Sequence, residues 1–317
     1  MKKVISIVSK PPTTFIVDWM LNDTCTYDCT YCPSGNKAGK EKWLTLELAK
    51  RFLDTLESQL ISGQPVEVLM TGGEPTIWPK FVELCNYIKD KGWKVSVITN
   101  LVRTLDWWKT HWSLFSTVTY SYHSETTKDS DFIKKIEWLD QNASNSQAVK
   151  VMMNPAEFNR CQQVFESLSL TDMPIVASPV QRTFGLEKIS VLEYTEEQVA
   201  WFDVNKYVPT SKDFESLFLR KQSVYDDGTI EDCNPNKIIL DNQNSFYGWN
   251  CDAGLENVFI DSAGGIYGAT CKQGGQIGSV QYFNNIKWPT SSIVCNALLC
   301  PCFTDIRISK RSRVVDT

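Results

Sequence analysis

The chain has 317 residues, 42% of them hydrophobic and 22% charged, enough for one large packed domain or up to two smaller ones. Its formal net charge of −5 argues against a protein that coats nucleic acid, and the basic cluster Lys310 to Arg313 is short enough to be a solvated end. No apolar run reaches the length of a membrane span, and "VISIV" near the start is too short for a secretion signal, so a cytoplasmic protein with reduced thiols is expected.

In chain order, apolar β-branched runs predict strands at 14–20, 66–71, 94–99, 117–122, 149–154 and 174–178. Helical spacing fills the gaps. Leu46, Ala49, Phe52, Leu53, Leu56 and Leu60 mark one face over 45–62, with Thr45 placed to cap it. Residues 79–91 and 131–139 carry similar stripes, and "TLDWWKTHW" reads as an aromatic structural helix holding His111. Strand and helix alternating about six times means parallel strands with crossover helices. A partial barrel and a doubly wound open sheet both satisfy this pattern. In either, ligands bind at the C-terminal ends of the strands.

From about residue 183 the repeat fades. "TEEQ" at 195–198 predicts a capping box opening a helix. "YDDGTI" predicts a hairpin turn, and residues 257–271 read as two short strands around "SAGG".

Eleven cysteines in a reducing compartment point to metal or redox chemistry rather than disulfides. Three of them, Cys25, Cys29 and Cys32, fall in "CTYDCTYC" directly after the first strand, at the ligand-binding end of the sheet. Thiolates favour soft metals and iron–sulfur clusters. Three thiolates on a cubic four-iron cluster leave one iron open to a substrate or cofactor. By themselves three close cysteines also suit part of a zinc site, and "TGGEP" at 71–75 is by itself a Gly/Pro turn.

Together the two motifs resemble the radical S-adenosylmethionine (SAM) superfamily. The C-x3-C-x2-C spacing with Tyr31 before the last cysteine is that family's signature, and Gly72, Gly73 and Glu74 stand at the end of the second strand as its GGEP motif does. The resemblance covers roughly residues 14–180 and implies a partial (β/α)6 TIM-type barrel. It implies a 4Fe–4S cluster on Cys25, Cys29 and Cys32, with SAM chelating the open iron. Reductive cleavage of SAM then yields a 5′-deoxyadenosyl radical that takes a hydrogen atom from a substrate C–H bond. A reduced cluster requires an electron donor such as a flavodoxin or ferredoxin. Tyr31 is expected near the adenine, Gly72 and Gly73 near the methionine part, and Glu74 as acceptor for its amino group. Asn100, Ser121 and His123, at the ends of strands three and four, are expected to contact ribose and carboxylate, although His123 also suits a plain structural role.

Six cysteines lie after residue 230. Cys251 before the "SAGG" hairpin, Cys271 just after it, and Cys295, Cys300 and Cys302 beyond are similar to the C-terminal auxiliary-cluster segment of some radical SAM enzymes, the Twitch/SPASM type. That likeness implies one auxiliary 4Fe–4S cluster on Cys251 and Cys271, completed by two of the last three, Cys300 and Cys302 ahead of Cys295. The same sulfurs also suit a structural zinc. Cys85 and Cys161 sit in helical stripes and read as small buried hydrophobes, and Cys233 is ambiguous. The expected organisation is a barrel over 1–182, linker helices and a hairpin over 183–245, and the auxiliary segment over 246–317. The expected substrate is a small molecule, nucleotide or sugar. The alternatives are a peptide-modifying radical SAM maturase and a zinc-stabilised binding protein without catalysis.

Overall fold

The structure, a computed structural model, describes residues 2–11, 13–39, 43–180, 193–205 and 221–313. The chain opens with β1 (Val4–Ser9) and then enters the alternating region. Its strands are β2 (Phe15–Met20), β3 (Val66–Thr71), β4 (Lys94–Thr99), β5 (Thr117–His123), β6 (Ser146–Met153) and β7 (Ile175–Pro179). Between them run α1 (Leu46–Glu57), α2 (Phe81–Asp90), α3 (Leu105–His111), α4 (Asp129–Asn142) and α5 (Phe158–Leu168), and α6 (Glu196–Asn205) follows β7. β2 to β7 are neighbours in sequence order and all parallel.

Local chemistry explains the helix ends. Thr45 caps α1 by accepting from the Leu48 N–H, and Thr104 does the same for α3 from Trp107. Thr195 and Gln198 bond reciprocally at the start of α6, the capping box expected there. Trp201 and Phe202 then pack edge-on against Phe158 of α5, so α6 completes a sixth strand–helix unit.

The choice between barrel and doubly wound sheet is settled by which strand face is apolar. Val17, Trp19, Val68, Met70, Val95, Val97, Val118, Tyr120, Val149 and Val151 join one core with the inner stripes of α1 to α5. The opposite parity carries Asp18, Glu67, Ser96, Ser121 and Lys150. Helices therefore cover one face only, and the other is the polar lumen of a partial (β/α)6 barrel.

The remaining strands are β8 (Lys221–Tyr225), β9 (Ile230–Asp232), β10 (Asn250–Cys251), β11 (Asn257–Ile260), β12 (Gly265–Tyr267), β13 (Gln276–Ser279), β14 (Ile293–Val294) and β15 (Lys310–Arg311), with short helices α7 (Pro235–Leu240) and α8 (Phe303–Ile306). The expected hairpins form as β8–β9 and β11–β12. Two pairings were not expected. β11 lies parallel to β2 and extends the barrel sheet, with Phe259 opposite Asp18. β1 pairs antiparallel with β8 and β15 in a second sheet of order β14-β10-β15-β1-β8-β9. A boundary at residue 182 therefore does not separate the two sheets. Parts of the expected linker, 183–192 and 206–220, and the end of the tail, 314–317, lie outside the described residues. A buried ion pair between Lys221 and Glu256 joins the sheets, and Glu256 also accepts from Ser9 and from the backbone and side chain of Ser309.

Candidate functional site

The loop after β2 is tied to the loop after β3 by backbone. The Gly73 N–H donates to Asn22 at 2.9 Å, the Glu74 N–H donates to Thr24 at 2.8 Å, and the Asn22 side chain donates to the Glu74 carbonyl at 3.2 Å. A Cβ on Gly73 would stand 2.1 Å from the Thr24 carbonyl oxygen, and one on Gly72, at φ +135°, 2.4 Å from that of Asn22. The two glycines thus let two protein backbones meet next to the Cys25 loop.

Glu74 is likewise held by protein groups. It is fully buried, and its carboxylate accepts from the Thr76 N–H and hydroxyl, the Thr99 hydroxyl and the Asn100 N–H. Three of these donors share Oε1, and the Asn100 N–H alone reaches Oε2, which keeps acceptor capacity. Asn100, held by that bond, places its side-chain amide 3.6 Å from Cys25 Sγ. The Tyr27 N–H also donates to Cys25 Sγ, at 3.3 Å.

Cys29 lies 3.6 Å from the Thr126 hydroxyl, and its carbonyl accepts from the Cys32 N–H and from Lys37. Burial pushes all three thiols up, Cys32 to about 11, where the charges of Cys29 and Cys25 add to the effect. Thiols that raise one another resist becoming thiolates unless a cation offsets them. Among the described residues no three His, Cys, Asp or Glu side chains gather as a site for a single metal ion. The loop carries three cysteine sulfurs, the donor type that iron–sulfur clusters take.

His123 closes one side. Its Nδ1 lies 2.8 Å from the Tyr31 hydroxyl, the two rings stack at 6.0 Å, and Tyr27 meets His123 edge-on. Burial lowers the His123 pKa to about 4, with Lys150 adding to it and Glu125 opposing. The imidazole is a neutral wall beside the thiols. Ser121 is buried in β5, opposite Lys150 of β6 in register. His111 stacks on Trp107 in α3, away from the site, and Cys85 and Cys161 are buried core residues. Cys233 is buried in the second apolar cluster.

The C-terminal cysteines divide. Cys251, Cys271, Cys295 and Cys300 line one cavity with Phe246, Asp305 and Lys310. Cys302 does not line it: its Sγ lies 2.9 Å from the Thr304 hydroxyl, and burial, then Asp305 and Asp18, push its thiol to about 11. Of the last three cysteines, Cys295 and Cys300 line the cavity, whereas the expectation put Cys302 ahead of Cys295. Asp305 accepts the N–H groups of Thr270 and Cys271 and so fixes the Cys271 loop. Burial opposes the charge of Lys310, but Cys300, Cys251 and Asp305 outweigh it and hold its pKa above the ordinary value. Sequence reasoning missed Lys310, Asp18 and Lys150. The signal for the last two was a charged residue at lumen parity inside an otherwise apolar strand.

Fold and site together define a partial parallel α/β barrel with one thiol group at its mouth and another in its C-terminal segment. Residues 19–137 match the family model described as the radical SAM superfamily, and the chain carries a radical SAM domain over that segment. An S-adenosylmethionine-dependent nucleotide dehydratase of Selenomonas ruminantium is 33% identical over 84 residues, 26% of this chain and 29% of that protein. An AdoMet-dependent heme synthase of Methanosarcina barkeri is 33% identical over 89 residues, 27% of this chain and 24% of that protein. The matched segment spans less than a third of the length of either relative. In fold the chain is similar to native anSMEcpe, solved with bound AdoMet and Cp18Cys peptide, with a TM-score of 0.53 and 14% identity over 85% of this chain and 78% of that one. No helix among the described residues is long and apolar enough to cross a membrane.

Proposed function

We propose that this protein is a radical SAM enzyme that abstracts hydrogen from a small molecule, nucleotide or sugar held in the barrel lumen. The observation that carries the reading is the three-thiol loop fastened to the Gly72–Glu74 loop at the C-terminal mouth of a parallel barrel. Cys25, Cys29 and Cys32 would hold a 4Fe–4S cluster. With SAM bound, that group supplies one-electron cleavage of a carbon–sulfur bond and the radical that follows.

The chain's own residues do the rest. Asn100 and the Tyr27 N–H donate toward Cys25 and orient it. Lys37, paired with Asp28 and bonded to the Cys29 carbonyl, pins the loop. Tyr27, Tyr31 and His123 form an aromatic wall that keeps bulk water from one side.

A second 4Fe–4S group would sit on Cys251, Cys271, Cys295 and Cys300, within a Twitch/SPASM-like segment over 246–317. Fully held by four cysteines, it would accept an electron rather than bind substrate. The likeness to the nucleotide dehydratase of Selenomonas ruminantium supports a nucleotide among small substrates. A flavodoxin or ferredoxin in a reducing cytoplasm would supply the electron.

The test is anaerobic reconstitution. The expected protein is brown, carries about eight irons per chain, and releases 5′-deoxyadenosine after reduction with SAM. Deuterium transfer from labelled candidate substrates into that product then identifies the substrate. A colourless, zinc-bearing protein that leaves SAM intact overturns the reading.

A further inference from the structure

Most buried lysines of this protein have an oxygen partner. Lys221 pairs with Glu256, Lys135 with Asp131 and the Leu101 carbonyl, and Lys310 donates to the Asp305 carbonyl. Lys150 differs. It points into the lumen from β6, and among the described residues no carboxylate or carbonyl oxygen accepts from its ammonium. Its ammonium lies over the Phe303 ring, 3.5 Å from the centroid. Leaving a cation half-buried and unpaired costs free energy that a structural role does not return.

The surroundings place this cation between His123 and the C-terminal segment. On one side His123, one lumen layer nearer the mouth, feels its charge. On the other stand Cys302 and Arg307 of the C-terminal segment. Burial pushes the Lys150 pKa down to about 7, with Cys302 opposing and Arg307 adding. An anion at this point would restore the full charge of the ammonium.

We propose that Lys150 anchors an oxyanion, carboxylate or phosphate, on the substrate. This deepens the proposed function and rests on the lumen being the substrate chamber. It restricts the substrate class to small anionic molecules. The phenyl face of Phe303 would hold the ammonium in place while the anion binds from the open side.

The test is amine labelling of the whole, as-purified protein, read by mass spectrometry for each lysine, with inorganic phosphate or acetate as the probe. Either anion should slow Lys150 labelling about tenfold, the order expected of one charge-assisted contact in a partly desolvated site. Lys135, Lys221 and Lys310 should not change. Phosphate should also raise the melting temperature of the wild type and of Lys150→Arg, but not of Lys150→Met. Equal labelling of Lys150 with and without both anions overturns the proposal, as does equal protection of every lysine. Protection by SAM alone would assign the lysine to the cofactor and overturn it too. SAM cleavage by the wild type tests the proposed function separately, so either idea can fail without the other.

Discussion

The Glu74 carboxylate accepts the Asn100 N–H at 2.7 Å, and Asn100 in turn reaches Cys25 Sγ at 3.6 Å. A residue of the GGEP turn thus acts on the sulfur rim through another residue. Glu74→Gln keeps the volume but turns one acceptor into a donor facing donors. It should cost about 1–3 kcal/mol in urea unfolding, and the reconstituted protein should lose iron from the first site. Unchanged stability together with full iron loading would show that the four bonds to Glu74 do not hold the loop.

The glycine zip gives a second expectation. In Gly73→Ala the new methyl meets two carbonyl oxygens, Thr24 at 2.1 Å and Asn36 at 2.8 Å. Backbone cannot yield as a side-chain tip does, so the cost should be about 1–3 kcal/mol or more. Gly35→Ala, with nothing within 4 Å of the added atom, should stay within about 0.5 kcal/mol. Equal melting temperatures for the two variants would contradict the close approach.

The barrel strands were legible because each is a β-branched run bounded by turn residues, and those at 66–71 and 94–99 match the observed strands end to end. β1 was not legible. "VISIVS" finds its partners more than two hundred residues away, in β8 and β15, and a non-local antiparallel pairing leaves no mark in local sequence. The motif cysteines were found by spacing, which fixes which thiols share a loop. Spacing does not fix that Cys302 lies beside Thr304, nor that Glu74 accepts from Thr99 and Asn100. Those outcomes depend on partners supplied by other elements.

The division of the last cysteines can be read as iron. Cys295→Ser or Cys300→Ser should lower reconstituted iron from about eight to about four per chain, because both line the C-terminal cavity. Cys302→Ser should leave it near eight, since that thiol faces Thr304. Iron analysis and visible absorbance decide this directly. Loss of iron in Cys302→Ser with retention in Cys295→Ser would restore the assignment read from spacing.

His123 gives a pH test with a definite sign. Its folded pKa, about 4 through burial, lies below the ordinary 6.5. Between those values the unfolded chain binds a proton that the folded protein refuses. Stability is therefore complete above about pH 6.5 and is lost as pH falls toward 4, by an amount on the order of 2 kcal/mol for this partly exposed ring. The chain has only two histidines, so the imidazole signals of iron-free protein can be assigned by comparing wild type with His111→Gln. The His123 ring should remain neutral at pH 5.5, and His123→Gln should flatten the stability profile across the window. If the ring titrates near 6.5, or if the variant keeps the wild-type slope, the ring is open to solvent and cannot serve as the dry wall beside Tyr31.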